Sequence, residues 1–185
     1  MRAGLAFIAG AVGAALICGA APLARAQTEA APPPVLAAAA PAAAIGSETG
    51  LPLPRYVSLK TSRGRARRGP SDSHRVDWIY TRRDMPLRVT GEFEHWRRIE
   101  DSEGQGGWIH YSLLSGVRTV LVTLDLAPMR ARPAATAAPL AYLEAGVVAR
   151  ILECNPGWCR LNVEGARGWV DRGALWGLDP DEVLD

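Results

Sequence analysis

An internal repeat of about sixty residues is the feature that most constrains the fold. The segment WRRIEDSEGQGGWI, which begins at Trp96, returns in outline as WCRLNVEGARGWV, which begins at Trp158. Trp108 and Trp169 close the two copies, and the SLLSG that follows the first copy matches GALWG after the second. The spacing between matched residues falls from 63 to 61 along the copies, as short insertions in loops produce. The repeat predicts two modules, each near the lower size limit for an independent core.

The residues within each copy predict short β-strands. RVDWIYTR, LRVTGEF, HWRRIE and GGWIH alternate apolar and polar residues, and LAPMRA, VVARILEC, WCRLNV and RGWVD follow in the same order. The segments HYSLL and DRGAL each read as a single 3₁₀ turn before a last strand. The glycine before each second Trp, Gly107 and Gly168, favours a kink or bulge. The pattern predicts an all-β fold of two tandem small barrels.

Composition divides the chain further. Residues 27–50 are almost wholly Ala, Pro and small polar residues, which cannot bury a core and predict a disordered linker. The segment SGVRTVLVTLD, around residues 116–124, must close one module and open the next, and it is apolar enough to form the last strand of the first. The predicted organisation is a signal peptide at 1–26, the Ala/Pro-rich linker at 27–50, a first barrel at 51–118, a second barrel at 119–178 and a C-terminal tail at 179–185.

The N-terminus has the architecture of a secretory signal peptide. Arg2 precedes an apolar run at 5–22, and Ala24-Arg25-Ala26 forms a small-x-small cleavage site. A retained membrane anchor is the weaker interpretation, because the run is rich in glycine and a cleavage site follows it. Cys18 lies behind a bulky residue, which makes a poor lipidation site. The sequence predicts a periplasmic or secreted protein with no membrane span after cleavage.

Export changes the interpretation of the cysteines. With Cys18 removed, Cys154 and Cys159 remain on either side of an Asn-Pro-Gly-Trp turn. An even pair in an oxidising compartment predicts a disulfide, and a tight hairpin brings its flanking residues within reach of one. A zinc site would need two more ligands, and the three histidines show no matching spacing. A redox pair more often opens a helix. We predict a structural disulfide, with no metal or cofactor.

Charge is balanced once the signal is removed. The whole chain has 21 basic and 19 acidic residues, and Arg2 and Arg25 leave with the signal. The basic excess that remains lies in residues 51–116, mostly in the arginine-rich segment 63–68. We favour a solvated, arginine-coated loop. The alternative is a patch that binds an acidic envelope polymer, since export argues against nucleic acid as the partner.

The aromatic residues divide into two predicted classes. The repeat constrains four tryptophans, which we expect to be barrel wall and core: Trp96, Trp108, Trp158 and Trp169. The repeat constrains others less, and we expect these to form an exposed aromatic groove for a ligand: Trp78, Tyr80, Tyr111 and Trp176. His95 and His110 stand in strand context and are expected to be half-exposed strand residues.

The chain from Leu51 to about Gly177 resembles the bacterial SH3-like (SH3b) proteins, in particular an exported proteobacterial group with two modules. The resemblance rests on GLPLPRYVSLK, VDWIYTRRDMPLRV, EFEHWRRIED, GWIHYSLLSG and CNPGWCRLNVEGARGWVDRGALWG. The first module of the family usually has Asn-x-Arg-x-Gly-Pro, against which Arg67, Gly69 and Pro70 fit and the Asn is missing. The second module is looser, with Pro-Met-Arg-Ala-Arg-Pro from Pro128.

The resemblance implies paired barrels without a catalytic centre. Such modules look like binding or targeting domains of the cell envelope, some of which recognise peptidoglycan peptides, and Arg67 joins the candidate ligand-binding residues. No Ser-His-Asp order, paired carboxylates or phosphate-binding loop stands out in the sequence. We therefore expect a non-catalytic envelope binding or scaffold protein whose partner is peptidoglycan or an envelope protein. The alternatives are a regulator or accessory subunit of a cell-wall hydrolase, or a small envelope hydrolase. The sequence sets no oligomeric state.

The predicted cleavage site gives a first test. Mass spectrometry of the exported protein should find an N-terminus at Gln27, because cleavage follows Ala26. An intact Met1 on protein recovered from the envelope fraction would contradict the prediction.

Overall fold

The computed structural model describes residues 44–184, and the predicted signal peptide and residues 27–43 of the predicted linker lie outside them. The architecture is all-β, as the sequence predicted: a two-stranded sheet precedes two seven-stranded sheets. The small sheet pairs β1 (Ala44–Ile45) with β2 (Pro52–Leu53).

Each seven-stranded sheet is one copy of the repeat. The first module contains β3 (Arg55–Leu59), β4 (Gly64–Arg67), β5 (Val76–Tyr80), β6 (Pro86–Phe93), β7 (Trp96–Glu100), β8 (Gly106–His110) and β9 (Leu114–Ser115). The second contains β10 (Thr119–Val122), β11 (Ala127–Arg130), β12 (Pro139–Leu143), β13 (Val148–Cys154), β14 (Trp158–Val163), β15 (Ala166–Asp171) and β16 (Leu175–Trp176). The spatial orders, β5-β4-β8-β7-β6-β3-β9 and β12-β11-β15-β14-β13-β10-β16, are the same.

Alternation along the strands separates core from surface. In the first module Ile99 and Ile109 point into a core that also holds Leu59, Leu87 and Val89. The second module has its own core, with buried residues that include Val120, Met129, Leu161 and Val170. Since successive strand residues face opposite sides, the neighbours of these core residues on β7, β8, β14 and β15 face outward.

The two glycines have a different role from the predicted bulge. The ladders β7–β8 and β14–β15 run without a register shift. Shifts occur on β6 and β13, at Val89/Gly91 and Ile151/Glu153, and on β4 and β11, at Ala66/Arg67 and Met129/Arg130. Gly107 has a φ of 151°, and a Cβ there would lie 2.6 Å from the carbonyl oxygen of Arg67. The glycine is therefore needed for close approach between β8 and β4.

The predicted 3₁₀ turns are present at both equivalent positions. They span Tyr111–Leu113 and Arg172–Ala174, each just before the last short strand of its module. The side chain of His110 accepts a hydrogen bond from the backbone of the first turn, and Asp171 does so in the second. A cap of this kind fixes where the 3₁₀ turn begins.

The predicted disulfide is confirmed. Cys154 and Cys159 are directly opposite each other on β13 and β14, with Cα atoms 4.1 Å apart. The turn between them is closed by the Asn155 side chain, whose oxygen accepts hydrogen bonds from the backbone N–H groups of Gly157 (3.1 Å) and Trp158 (2.8 Å). In the chain-entropy model, so short a loop gains about 2 kcal/mol from the bridge.

Segments that flank the repeat pack onto it. The sequence predicted a disordered linker as far as residue 50, but β1 lies within that range and pairs with β2, and Leu53 enters the first core. The predicted tail is also held: Leu184 exchanges two backbone hydrogen bonds with Cys154, of 2.7 and 3.1 Å. Although their composition could not form a core, these segments are held in place by hydrogen bonds to the ends of β6 and β13.

The apolar segment between the modules belongs to the second one. Its composition would have allowed a last strand of the first module, and the second module was predicted to begin at residue 119. In the structure β10 (Thr119–Val122) pairs with β13 and β16, and β9 closes the first module. Contacts nevertheless cross the junction. The Thr119 hydroxyl donates to the carbonyl of Asp84 (2.7 Å), and the Tyr56 and Trp176 rings meet edge to face at 5.4 Å. The modules therefore share an interface, which favours joint unfolding.

A buried carboxylate fastens the N-terminal segment to the first module. The Glu92 side chain is fully buried and pairs with Arg55 at 2.7 Å. It also accepts hydrogen bonds from the backbone N–H groups of Glu48 and Thr49 and from the Thr49 hydroxyl, at 2.7 to 2.9 Å. Burial alone would raise the pKa of Glu92, but the hydrogen bonds from Thr49, Arg55 and Glu48 outweigh it and lower the pKa from 4.5 to about 2.

This contact predicts a pH-dependent effect of Glu92→Gln. Because the folded pKa lies below the unfolded one, the carboxylate contributes its full stability above about pH 4.5 and loses it as the pH falls towards about 2. At pH 7 the variant should lose about 2–3 kcal/mol of unfolding free energy. Urea denaturation at pH 7 and pH 3 should show a smaller difference between variant and wild type at pH 3. Glu94→Gln in the adjacent exposed turn is the matched control, and an equal difference at both pH values would contradict the assignment.

Candidate functional site

Strands β4, β8 and β7 of the first module present a basic and aromatic outer face. Cross-strand register places His110 opposite Trp96, and Trp108 opposite both Arg98 and Arg67. Directly opposed residues share a face of the sheet. The core-facing residues alternate with these five outward ones, so the face is a consequence of strand periodicity.

A cavity of about 320 Å³ occupies one end of this face, and we call it the basic groove. Its lining is three arginines, an acidic residue and three further side chains: Arg63, Arg65, Arg67, Asp72, Trp96, His110 and Leu113. Three guanidinium groups beside one carboxylate give the groove a positive potential, which attracts anionic ligands.

The arginines of the groove differ in how they are held. Arg67 donates to the carbonyl of His74 (2.8 Å) and pairs with Asp72 (3.2 Å), so its guanidinium is fixed in place. Arg63 and Arg65 form no ion pair with any carboxylate of residues 44–184. Both are exposed, which leaves their donors available to a ligand.

Aromatic rings form the opposite wall. The Trp96 and His110 rings meet edge to face at 5.6 Å. The Nδ1 atom of His110 lies 2.7 Å from the Ser112 hydroxyl oxygen, which holds the imidazole in place. Tyr111 and His95 continue the cluster, with ring centroids 4.9 and 5.9 Å from His110. The wall is therefore rigid and presents aromatic edges next to the arginines.

The second module does not repeat the charge of this groove. The offset of 63 residues places Leu126 and Pro128 where the first module has Arg63 and Arg65. Arg130 takes the place of Arg67 and likewise donates to a carbonyl seven residues later, that of Ala137 (2.6 Å). The fixed arginine is thus common to both modules, while the two exposed arginines belong to the first alone.

The structure corrects the prediction for Tyr80. Its side chain is only 3% exposed and belongs to the first core. The hydroxyl donates to the Asp101 carboxylate (3.2 Å) or the Gln105 carbonyl (3.0 Å), and burial, with Asp101 nearby, raises the pKa of Tyr80. An inward strand position at the end of β5 explains this burial. Tyr80 still contributes to the lining of a cavity beside Trp78, whose ring centroid lies 6.4 Å from its own.

The other predicted groove aromatics do not come together. Trp78 is 42% exposed and lines a separate cavity of about 290 Å³ with Met85 and Leu121. Tyr111 is 50% exposed and packs on the histidines beside the basic groove. Trp176 packs on Tyr56 at the module junction. Of the candidate ligand-binding residues, Arg67 alone lines the basic groove.

The four repeated tryptophans lie in the barrel walls and outside both core clusters. Trp96 is only 7% exposed, whereas Trp108, Trp158 and Trp169 are half-buried. We expected wall and core, and strand alternation places all four on outward faces. Sequence reasoning favoured a solvated loop for Arg63 and Arg65 and kept a binding patch only as the alternative. The alternation of Arg65 and Arg67 with Gly64 and Ala66 was the signal that could have placed residues 64–67 on a strand, with Arg63 just before it.

Other features of the described chain add no second chemistry to this site. Within residues 44–184, no group of three or more His, Cys, Asp or Glu side chains could hold a metal ion. No helix there is long and apolar enough to cross a membrane. Hydrogen bonds from Arg75 and Arg68 lower the pKa of the exposed Asp77 near the groove.

Comparison with known proteins gives one family. The profile described as "Bacterial SH3 domain" matches residues 60–116 and 124–177, more than half of the chain. No curated protein matches the chain. Among solved structures the chain is similar to NlpC2 and NlpC1 from Trichomonas vaginalis, each at 19% identity, with TM-scores of 0.31 and 0.32. The alignments cover 66% and 71% of this chain and 48% of each of those chains, so the chain spans about half their length. A likeness at these TM-scores carries no functional argument.

Two substitutions separate the structural and exposed aromatics. Trp96→Ala should lower the unfolding free energy by about 3 kcal/mol, because it removes a buried indole. Tyr111→Ala should lower it by less than about 1 kcal/mol, because its ring is half exposed. Chemical denaturation of the two variants measures both values, and equal losses would contradict the assignment.

Proposed function

This chain belongs to the bacterial SH3 domain family, and on that premise we propose that it is a non-catalytic binding protein of the bacterial cell envelope. The partner we propose is peptidoglycan, held through its peptide stems in the basic groove of the first module. The observation that carries this proposal is the pair of exposed arginines, Arg63 and Arg65, beside the Trp96–His110 wall.

The chemistry of the groove suits a carboxylate-bearing peptide. Peptide stems carry free carboxylates, which arginine binds through paired charge-assisted hydrogen bonds. The aromatic wall offers apolar contact to the methyl and methylene groups of such a stem. Because the exposed arginines have no equivalent in the second module, the proposal assigns recognition to the first module.

Location in the periplasm or outside the cell is part of the proposal. The predicted signal peptide supports export, and a disulfide between Cys154 and Cys159 persists in an oxidising compartment. The bridge lies in the second module, away from the basic groove, which supports a structural role for it.

The lining of the groove supports binding over catalysis. Guanidinium groups stay protonated at neutral pH, so Arg63 and Arg65 can hold an anion but cannot accept a proton from a nucleophile. The one carboxylate of the lining, Asp72, is paired with Arg67. The imidazole of His110 is the remaining group of the lining that could accept a proton, and its Nδ1 is engaged by the hydroxyl and backbone N–H of Ser112 at the cap of the 3₁₀ turn. The groove is therefore proposed as a recognition surface.

Sedimentation with purified sacculi tests the proposed function. We expect the mature protein to pellet with sacculi, and Arg65→Ala to weaken retention about tenfold, as loss of one charge-assisted contact implies. Higher salt should also weaken retention, because the contact is partly exposed.

Arg167→Ala is the matched control, since Arg167 is an exposed strand arginine of the second module. It should pellet like the wild type. Wild-type protein that stays in the supernatant, or Arg65→Ala that pellets as well as wild type, would contradict the proposed function.

A further inference from the structure

A second cavity lies on the same sheet face, towards the turn between β7 and β8. Its volume is about 760 Å³, and its lining is predominantly polar. Its lining includes Trp108, Arg98 and residues 104–107 of the β7–β8 turn and the start of β8. Arg67 is the lining residue it shares with the basic groove.

The acidic side chains of this cavity are already paired. Asp77 pairs with Arg68 (3.0 Å) and with Arg75 (2.6 Å). Glu100 pairs with Arg88. Arg98 is exposed and has no carboxylate within ion-pair distance among residues 44–184. The cavity therefore offers one uncompensated cation beside a half-buried indole.

In the second module the arginine at the equivalent position has an acidic partner. Arg160 stands at the position of Arg98, opposite Trp169 as Arg98 stands opposite Trp108. Its cross-strand partner is Glu153, which pairs with it at 3.3 Å. The partner of Arg98 is Gly91, which has no side chain. In the second module the carboxylate of Glu153 therefore neutralises the arginine, whereas in the first module Gly91 supplies no carboxylate to Arg98.

We propose that the Arg98–Trp108 cavity is a second binding site of the first module, for a saccharide that carries a carboxylate. The carboxylate pairs with Arg98, and one face of the sugar ring packs on the Trp108 indole. Hydroxyl groups of the saccharide meet the polar lining formed by Gln105, Thr90 and the adjacent backbone. An acidic peptide would also pair with Arg98, but it would use neither the ring platform nor the hydroxyl-binding lining.

The site is independent of the basic groove. Arg98 and Trp108 line this cavity and not the groove, whereas Arg65 and Trp96 line the groove and not this cavity. Substitution of Arg65 should therefore leave saccharide binding unchanged, whether or not the protein binds sacculi.

Gly91→Glu is the decisive variant, because it gives Arg98 the partner that Arg160 has. A Cβ at Gly91 would lie 3.5 Å from the Cβ of Arg98, an ordinary contact, so the position accepts a side chain without a clash at its first atom. Gly91→Gln adds the same bulk without charge and is the matched control. Circular dichroism and thermal melting check that each variant folds.

Isothermal titration calorimetry on the mature protein measures binding to three probes: a tetramer of galacturonic acid, a neutral tetramer of N-acetylglucosamine and a tetrapeptide of glutamate. We expect the galacturonate tetramer to bind most tightly, Arg98→Ala and Gly91→Glu to weaken it at least tenfold, and Gly91→Gln and Arg160→Ala to bind like wild type. Trp108→Phe should weaken it severalfold.

Four results would overturn the proposal. Equal binding of the glutamate peptide would assign the site to acidic peptides, and equal binding of the neutral tetramer would remove the role of Arg98. Absence of galacturonate binding, or binding that Gly91→Glu leaves intact, would show that the open cation does not form a saccharide site.

Discussion

The close approach of two backbones at a glycine is the constraint on which the rest of each module depends. A Cβ at Gly107 would meet the Arg67 carbonyl at 2.6 Å, and at Gly168 the Arg130 carbonyl at 3.0 Å. Only where the Cβ is missing can β4 lie against β8, or β11 against β15. This contact brings the arginine of one strand level with the tryptophan of the next, and the outward face of each module follows from it.

Duplication has kept this scaffold and changed its surface. Both modules retain the glycine, the fixed arginine and the outward tryptophans, because these set strand spacing and wall packing. Other outward positions carry no such constraint: Arg65 corresponds to Pro128, and Gly91 to Glu153. Comparison of the two modules therefore separates residues that the fold requires from residues that it merely tolerates.

The fold could be predicted from the sequence largely because the sequence contains an internal repeat, whereas the candidate site could not be predicted. The repeat, the period-two alternation and the Cys154–Cys159 spacing led to two all-β modules with a disulfide, and the structure has them. Periodicity does not tell which face of a strand is inward, so Tyr80 was expected at the surface and lies in the core. The binding potential of Arg98 depends on Gly91, which lies opposite it on another strand. The sequence alone does not show which residues of two strands are paired.

The segments docked on Glu92 and Cys154 show that the unit of duplication and the unit of folding differ. These two positions are equivalent in the repeat, 62 residues apart, and each receives a flanking segment from outside it: residues 48–49 at Glu92 and Leu184 at Cys154. The spans that match the family, 60–116 and 124–177, omit both segments and also all of β3 and β10. A fragment cut at the borders of these spans would lose the first strand of each module and would leave the backbone of Cys154 and the carboxylate of Glu92 without their partners, so each module is complete only with residues outside the spans.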